Sequence, residues 1–390
     1  MEEGKRSRVD GLRRFVLSQI EETGPIPFRQ FMEWCLYHPE YGYYSAERVK
    51  IGKEGDFYTS PCVHPLFGRL IARQLIQMAE ILKGEVFEVA EMGGAQGFLC
   101  EDILNWAKNN FPAFYQHLRY RLIETAPHFL KEQQKRLSEH ESEGKVFWTD
   151  SKVFEEGKDL FEGCFLSNEL IDAFPVHQVI LDRGELRELY VTERQGKLEE
   201  KWGDPSDPRI LSYFQSMNIT LQEGQKAEVN LKALDWMENV GRGLRKGFVL
   251  TIDYGYVSEE LYAPYRKEGT LLCYFQHRPS EKPFERLGEQ DMTSHVNFTS
   301  LIGRGEEVGL RFTGLVPQYR FLIGLGILRE IESLGKEMSE MDALQLRLSL
   351  KHLIEPEMGM GEKFKVLIQH KGIENPLLDG LRELRAIPWA

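Results

Sequence analysis

Glu85-Val86-Phe87-Glu88-Val89-Ala90-Glu91-Met92-Gly93-Gly94-Ala95-Gln96-Gly97-Phe98 is the stretch that decides the fold. Residues 86–90 form a short apolar run of strand type, and residues 98–108 place apolar side chains at helical spacing. A glycine-rich turn joins the two. Glycine there permits a tight reversal and close approach of a ligand to the backbone, and the following helix N-terminus offers free N–H groups to an anion. The spacing is G-x-x-x-G rather than G-x-G-x-x-G, which departs from the standard dinucleotide fingerprint. No Gly-Lys-Ser/Thr follows, so the turn is not a P-loop.

The same alternation continues outward. Strands are predicted at residues 120–123, 164–167 and 248–252, and a helix at 128–137. A late strand pair is predicted at 310–316 and 363–369, separated by helices within 321–354. Strands alternating with helices predict an α/β fold with a mostly parallel sheet covered on both faces. Upstream, Leu12, Phe15, Val16, Leu17 and Ile20 recur at helical spacing before the stop signal Gly24-Pro25. Helices are predicted at about 28–37 and 65–82, with loops at 38–44 and 52–61. Residues 176–202 read as hairpin material with turns at Arg183-Gly184 and Gln195-Gly196, and residues 205–245 as polar and mostly helical. The expected organisation is an N-terminal helical segment over 1–84, a core over 85–175 and 246–390, and an inserted subdomain over 176–245.

Composition narrows the function. The chain has 390 residues, 42% hydrophobic and 28% charged, which is ordinary for a globular protein and excludes disorder as its main state. The longest apolar stretch, 321–328, is far short of the roughly 20 residues of a membrane helix. With Lys+Arg 49 against Asp+Glu 61, the net charge of -12 argues against nucleic-acid binding and suits a cationic partner. Cys35, Cys62, Cys100, Cys164 and Cys273 are scattered and never in a C-x-x-C pair, as in a reducing compartment. Ten histidines show no H-E-x-x-H pattern or Cys/His spacing, so no metal site is expected, and no G-x-S-x-G elbow offers a hydrolytic nucleophile. Lys5, Arg6, Arg8, Arg13 and Arg14 lie among or just before Glu2, Glu3, Asp10, Glu21 and Glu22, whereas transit peptides are poor in acids. A soluble, cytoplasmic protein is expected on that ground.

Three further constellations fall at predicted strand ends, where open α/β sheets bind ligands. Glu124 follows the second strand, where an acid can accept both hydroxyls of a ribose. Asn168-Glu169-Leu170-Ile171-Asp172-Ala173-Phe174-Pro175 follows the next; a helical turn there would put Glu169 and Asp172 on one face, fit to grip a guanidinium. Asp253-Tyr254-Gly255 follows the strand at 248–252 and offers a carboxylate and a phenol to the same crevice.

Several segments together resemble one family. They are Gly55-Asp56-Phe57-Tyr58-Thr59-Ser60-Pro61, Phe67-Gly68, the 91–97 turn, Glu124 with Pro127 and Gln133, the 168–175 segment, Asp253-Tyr254-Gly255, Gly269-Thr270-Leu271, and Asp291-Met292-Thr293-Ser294-His295-Val296-Asn297-Phe298. This pattern is similar to the MidA-type family of S-adenosylmethionine-dependent methyltransferases, whose mitochondrial members assist complex I assembly and methylate an arginine of one of its subunits. The similarity runs from about residue 24 to beyond residue 370. Three positions depart from the family pattern: Ala95 stands at the middle glycine of E-x-G-x-G-x-G, Ala126 replaces a serine, and Asn297 replaces a carboxylate.

The resemblance implies a Rossmann-like, seven-stranded class I methyltransferase sheet with one antiparallel strand near the C-terminus. It implies S-adenosylmethionine held by Glu91, Gly93, Gly94, Gly97, Glu124, Asn168, Thr59 and Ser60. The implied acceptor is an arginine-bearing protein, served by Asn168, Glu169, Asp172 and Tyr254. Two alternatives stay open at this point: a non-catalytic assembly or binding factor on the same scaffold, and a methyltransferase of small molecules.

Overall fold

A computed structural model describes residues 2–45, 64–152, 160–336, 339–355 and 361–382. The chain divides into two compact units. The unit made of Tyr58–Leu170, Trp236–Tyr254 and Ile302–Ala390 is organised on a sheet whose strands we label β1 Phe87–Met92, β2 Leu118–Ile123, β3 Val146–Thr149, β4 Phe161–Asn168, β5 Leu244–Tyr256, β6 Arg311–Pro317 and β7 Phe364–Lys371. Their order across the sheet is β3-β2-β1-β4-β5-β7-β6. The strands β1 to β5 are parallel neighbours, while β7 runs antiparallel to both β5 and β6. This is the sheet the resemblance implied, reversed strand included.

Burial explains the strand sequences. In β4 every residue except Glu162 is buried, the near-continuous pattern of an interior parallel strand rather than a one-sided one. The helix Phe98–Asn110 buries Leu99, Cys100, Ile103, Leu104 and Ala107 along one stripe, and Leu66–Leu82 buries Leu70, Ile71, Leu75 and Met78. These stripes pack with Val89, Leu166, Leu250, Phe321 and Val366 into one continuous core.

After β1 the chain winds outward to β2 and β3, then returns to lay β4 on the other side of β1. That reversal is the topological switch point, where the connections leaving two adjacent strands diverge and open a crevice. The register sets Met92 beside Ser167 and Ile252 beside Asn168, so the carboxyl ends of β1 and β4 coincide.

Two strand expectations change here. β3 did not show in the sequence, because Val146-Phe147-Trp148-Thr149 is only four residues long and takes its register from β2. Asp253-Tyr254-Gly255 does not follow a strand but lies within β5: β7 goes on pairing with Asp253 and Tyr254, through Lys365 and Phe364, after β4 has ended.

The other unit comprises Met1–Phe57, Ile171–Asp235 and Gly255–Leu301. The helices Glu2–Thr23 and Phe28–Tyr37 belong to it. Its larger sheet pairs His177–Asp182 with Glu185–Arg194, and that strand in turn with Lys197–Gly203. Both predicted turns are present, with φ of 54° and 77° at Arg183-Gly184 and 53° and 76° at Gln195-Gly196, the backbone of a two-residue hairpin turn. The stretch read as mostly helical also contributes a strand, Lys226–Val229, paired with His177–Asp182. A three-stranded sheet of Leu272–Phe275, Arg278–Ser280 and Asp291–Thr293 occupies sequence that carried no strand signal.

Gly163 tests the packing of the parallel sheet. It sits in β4 at φ 149°, and a Cβ there would lie 1.9 Å from the Glu88 carbonyl oxygen of β1. Gly163→Ala should therefore destabilise the protein by about 1–3 kcal/mol in equilibrium urea unfolding. A variant as stable as the parent would contradict this strand spacing.

Candidate active site

Glu91 is the last residue but one of β1 and is buried. The Tyr120 hydroxyl, from β2, donates to its Oε2 at 2.7 Å. Burial pushes the Glu91 carboxyl up to about 7; the Tyr120 bond opposes this and the nearby Glu124 charge adds to it. The turn follows directly. Gly93 has φ 79°, and a Cβ there would meet Leu170 Cδ1 at 2.8 Å. A Cβ at Gly94 would lie 3.2 Å from Glu91 Cδ. Ala95 adopts a left-handed φ of 44°, and Gly97, at φ 81°, opens the helix Phe98–Asn110.

Glu124 stands just past the end of β2. Its Oε1 accepts the backbone N–H groups of Thr125 at 2.9 Å and Ala126 at 2.8 Å, while Gln133 Nε2 lies 3.4 Å from its Oε2. Burial lifts this carboxyl too, to about 7, against the pull of those hydrogen bonds. Glu124 thus orders the entry to the helix Pro127–Arg136 with one oxygen and leaves the other with a single long contact.

Asn168 ends β4, buried, and its Nδ2 donates to Glu169 Oε1 at 3.1 Å. Its Oδ1 is buried without a hydrogen-bond partner, an acceptor suited to a donor on a ligand. The expected helical turn at 169–172 is absent. Glu169 takes φ 51°, its N–H donates to the Ile252 carbonyl at 2.9 Å, and the Leu170 N–H donates to Asp253 Oδ2 at 3.2 Å. These bonds to β5 hold Glu169 and Leu170 outside a helix, and the chain turns only after them, with the Phe174 N–H donating to the Ile171 carbonyl at 3.1 Å, so the pairing of Glu169 and Asp172 on one helical face does not occur.

Asp172 belongs to the other unit, buried, with its carbonyl accepting the Ser294 N–H at 2.9 Å. There burial, then the charges of Asp172 and Asp291, push the Tyr274 hydroxyl upward. Tyr254 packs its ring 5.4 Å from that of Phe364, and its N–H donates to Asp253 Oδ1 at 2.9 Å. Thr59 and Ser60 lie outside the described residues.

Glu91, Gly93, Gly94, Gly97, Glu124, Asn168 and Glu169 therefore all fall at the carboxyl ends of β1, β2 and β4. Tyr120 and Asp253 are supporting residues whose roles the sequence did not disclose. For Tyr120 the one available signal is a polar-tipped residue in the predicted strand at 120–123. Among the described residues, no group of three or more His, Cys, Asp or Glu is placed to hold a metal ion. No helix among them is long and apolar enough to cross a membrane.

A glycine turn at the switch point, the buried carboxylate of Glu91, the half-buried one of Glu124 and an unpartnered carboxamide oxygen fit a ligand with hydroxyl and ammonium donors, the donor set of S-adenosylmethionine. With the strand order and the reversed β7, they define a class I methyltransferase. The family model described as "Putative S-adenosyl-L-methionine-dependent methyltransferase" matches residues 70–316, more than half of the chain. The chain belongs to this family, in its MidA-type branch, and S-adenosylmethionine is its cofactor.

Among relatives, "Protein arginine methyltransferase NDUFAF7 homolog, mitochondrial" of Drosophila melanogaster is 27% identical, over 97% of this chain and 88% of its own. The protein of the same name in Caenorhabditis elegans is 26% identical, over 92% and 86%. A Burkholderia thailandensis protein solved bound to S-adenosyl-homocysteine superposes with a TM-score of 0.86 at 28% identity, covering 97% of this chain and 96% of that one. The expectation of a cytoplasmic protein is overturned by these comparisons, because the animal relatives are named mitochondrial. Acids interspersed among the N-terminal basic residues were a poor guide.

The raised Glu91 carboxyl gives a signed pH dependence. The folded state keeps this proton up to about pH 7, whereas an unfolded Glu releases it near about 4.3. Its contribution to stability is therefore complete at acid pH and is lost as pH rises through 7. Relative to the parent, Glu91→Gln, neutral throughout, should gain in Tm as pH rises from about 4, below the unfolded pKa, to about 8. A difference in Tm that stays constant across this range would contradict a buried, proton-holding Glu91.

Proposed function

We propose that this methyltransferase transfers a methyl group to an arginine side chain of a protein acceptor. The observation that carries the reading is the carboxylate of Glu169, held by Asn168 at the carboxyl end of β4 and one residue before Leu170, the neighbour of the glycine turn. The names of the fly and nematode relatives, protein arginine methyltransferases aligned over nearly the whole chain, support it.

In this reading the turn that contains Gly93, Gly94 and Gly97 receives the cofactor along its backbone. Glu124 receives ribose hydroxyls on Oε2, and Glu91 and Asn168 Oδ1 face its cationic end. When bound, S-adenosylmethionine would supply an electrophilic methyl from its sulfonium, the S–CH3 bond breaking with its electron pair on sulfur so that S-adenosylhomocysteine leaves. An arginine guanidinium, with a pKa above about 12, arrives protonated and is not nucleophilic. Glu169 orients it through charge-assisted hydrogen bonds and draws its positive charge away from the attacking nitrogen. As the new N–C bond forms, a guanidinium proton passes to the Glu169 carboxylate. Tyr254 offers a ring face for the guanidinium to stack on. Asp172, the other expected carboxylate, is not joined to Glu169 by a helical turn.

The deciding experiment supplies the purified protein with labelled S-adenosylmethionine and an extract, followed by mass spectrometry of the labelled species. Label in methylarginine of a protein is expected; label in a small molecule, or none, would overturn the reading. Two variants separate the roles. Glu169→Gln should lower turnover by roughly 10²–10⁴ while S-adenosylhomocysteine affinity stays within a few-fold. Glu124→Ala should weaken S-adenosylhomocysteine binding by about 1.5–3 kcal/mol, the scale of hydrogen bonds to a charged group, as read by calorimetry. Normal turnover in the first, or unchanged affinity in the second, would remove that residue from the mechanism.

A further inference from the structure

Gln133 is wholly buried, on the helix Pro127–Arg136. Its Nε2 donates to the Ala95 carbonyl at 2.6 Å and lies 3.4 Å from Glu124 Oε2. Its Oε1 accepts the Trp148 Nε1–H, from β3, at 3.0 Å. An indole N–H can only donate, so Trp148 settles which end of the amide is oxygen and turns both Nε2 hydrogens toward Ala95 and Glu124. One turn along the same helix, Arg136 Nε donates to the Gln96 carbonyl at 2.9 Å. Two successive carbonyls of the glycine turn are therefore pinned from one helix face.

The pinned turn contains Ala95 at φ 44°, a conformation unfavourable for an L-residue that lasts only where its surroundings over-determine it. A hydrocarbon side chain of the same length would fill the same volume. The buried amide does more, because it couples the turn to Glu124 with both hydrogens directed.

We propose that Gln133 is the positioning residue of the cofactor site, holding the glycine turn and the ribose-binding carboxylate in one shared geometry through a single oriented amide. This rests on the reading that the turn and Glu124 hold the cofactor. Its effect is preorganisation: the turn and the carboxylate stand in their binding arrangement before the ligand arrives, so less ordering remains to be done on binding.

The test is calorimetric titration of the full-length protein with S-adenosylhomocysteine between about pH 6 and 8.5, with Tm recorded alongside. Gln133→Met keeps the length and loses all three contacts; its affinity should fall about tenfold or more. Gln133→Glu keeps the shape but sets a carboxylate against the Ala95 carbonyl and Glu124. Its affinity relative to the parent should be lowest at the alkaline end and recover as pH falls, because the introduced carboxyl donates again once it is protonated. A residue that merely fills space would not produce that recovery. Trp148→Phe, which removes only the orienting N–H, should cost a few-fold in affinity with Tm nearly unchanged, and it serves if Gln133→Met does not fold. Affinities within twofold of the parent in the folded variants, or a Gln133→Glu ratio flat with pH, would overturn the proposal. Glu124→Ala is the control: if it binds like the parent, the cofactor-site reading itself fails. If it binds weakly while the Gln133 variants bind normally, only the positioning role fails.

Discussion

The close approach of Gly93 to Leu170 is the constraint on which the site depends. Only 2.8 Å separates Leu170 Cδ1 from the place a Cβ at Gly93 would occupy. Position 93 must therefore lack a side chain, and its φ of 79° independently asks for glycine. Leu170 is held to this approach from the other side, through its N–H to Asp253 of β5. Glu91, Asn168 and Glu169 become neighbours because adjacent parallel strands end at the same level and their chains then part. A hydrophobic contact of backbone precision thus gathers polar groups that are far apart in sequence.

Those polar groups sit at the margin of ionisation. Burial lifts both Glu91 and Glu124 to about 7, and each is restrained by hydrogen bonds that favour its charged form. The Tyr120 hydroxyl and the Thr125 and Ala126 amides leave both carboxylates oriented but incompletely neutralised. A site of this kind favours a cationic ligand with hydroxyl donors.

Much of the fold was legible because parallel strands buried on both faces read as apolar runs, and helices between them show a stripe. The glycine turn at 93–97 and the acid at 124 were legible as features of strand ends, and both stand there, Glu124 ordering the entry to the next helix as well. What was illegible depends on distant partners. β3 and Lys226–Val229 are four residues each and take their register from neighbours. Asp253 and Tyr254 stay in strand conformation because of β7, more than a hundred residues away in sequence. Glu169 was expected to begin a helical turn, but Ile252 and Asp253 claim the local N–H groups first. Gln133 was visible only as part of a family resemblance; its contacts to Ala95, Glu124 and Trp148 exist only in three dimensions.

The most direct test of the central claim is a crystal structure of the protein with S-adenosylhomocysteine. Density for the ligand lying along residues 91–97, with its ribose hydroxyls on Glu124 and its amino-acid end reaching toward Asn168, is the predicted result. Ligand bound elsewhere on the chain, with the glycine turn empty and Asn168 Oδ1 still without a donor, would contradict it.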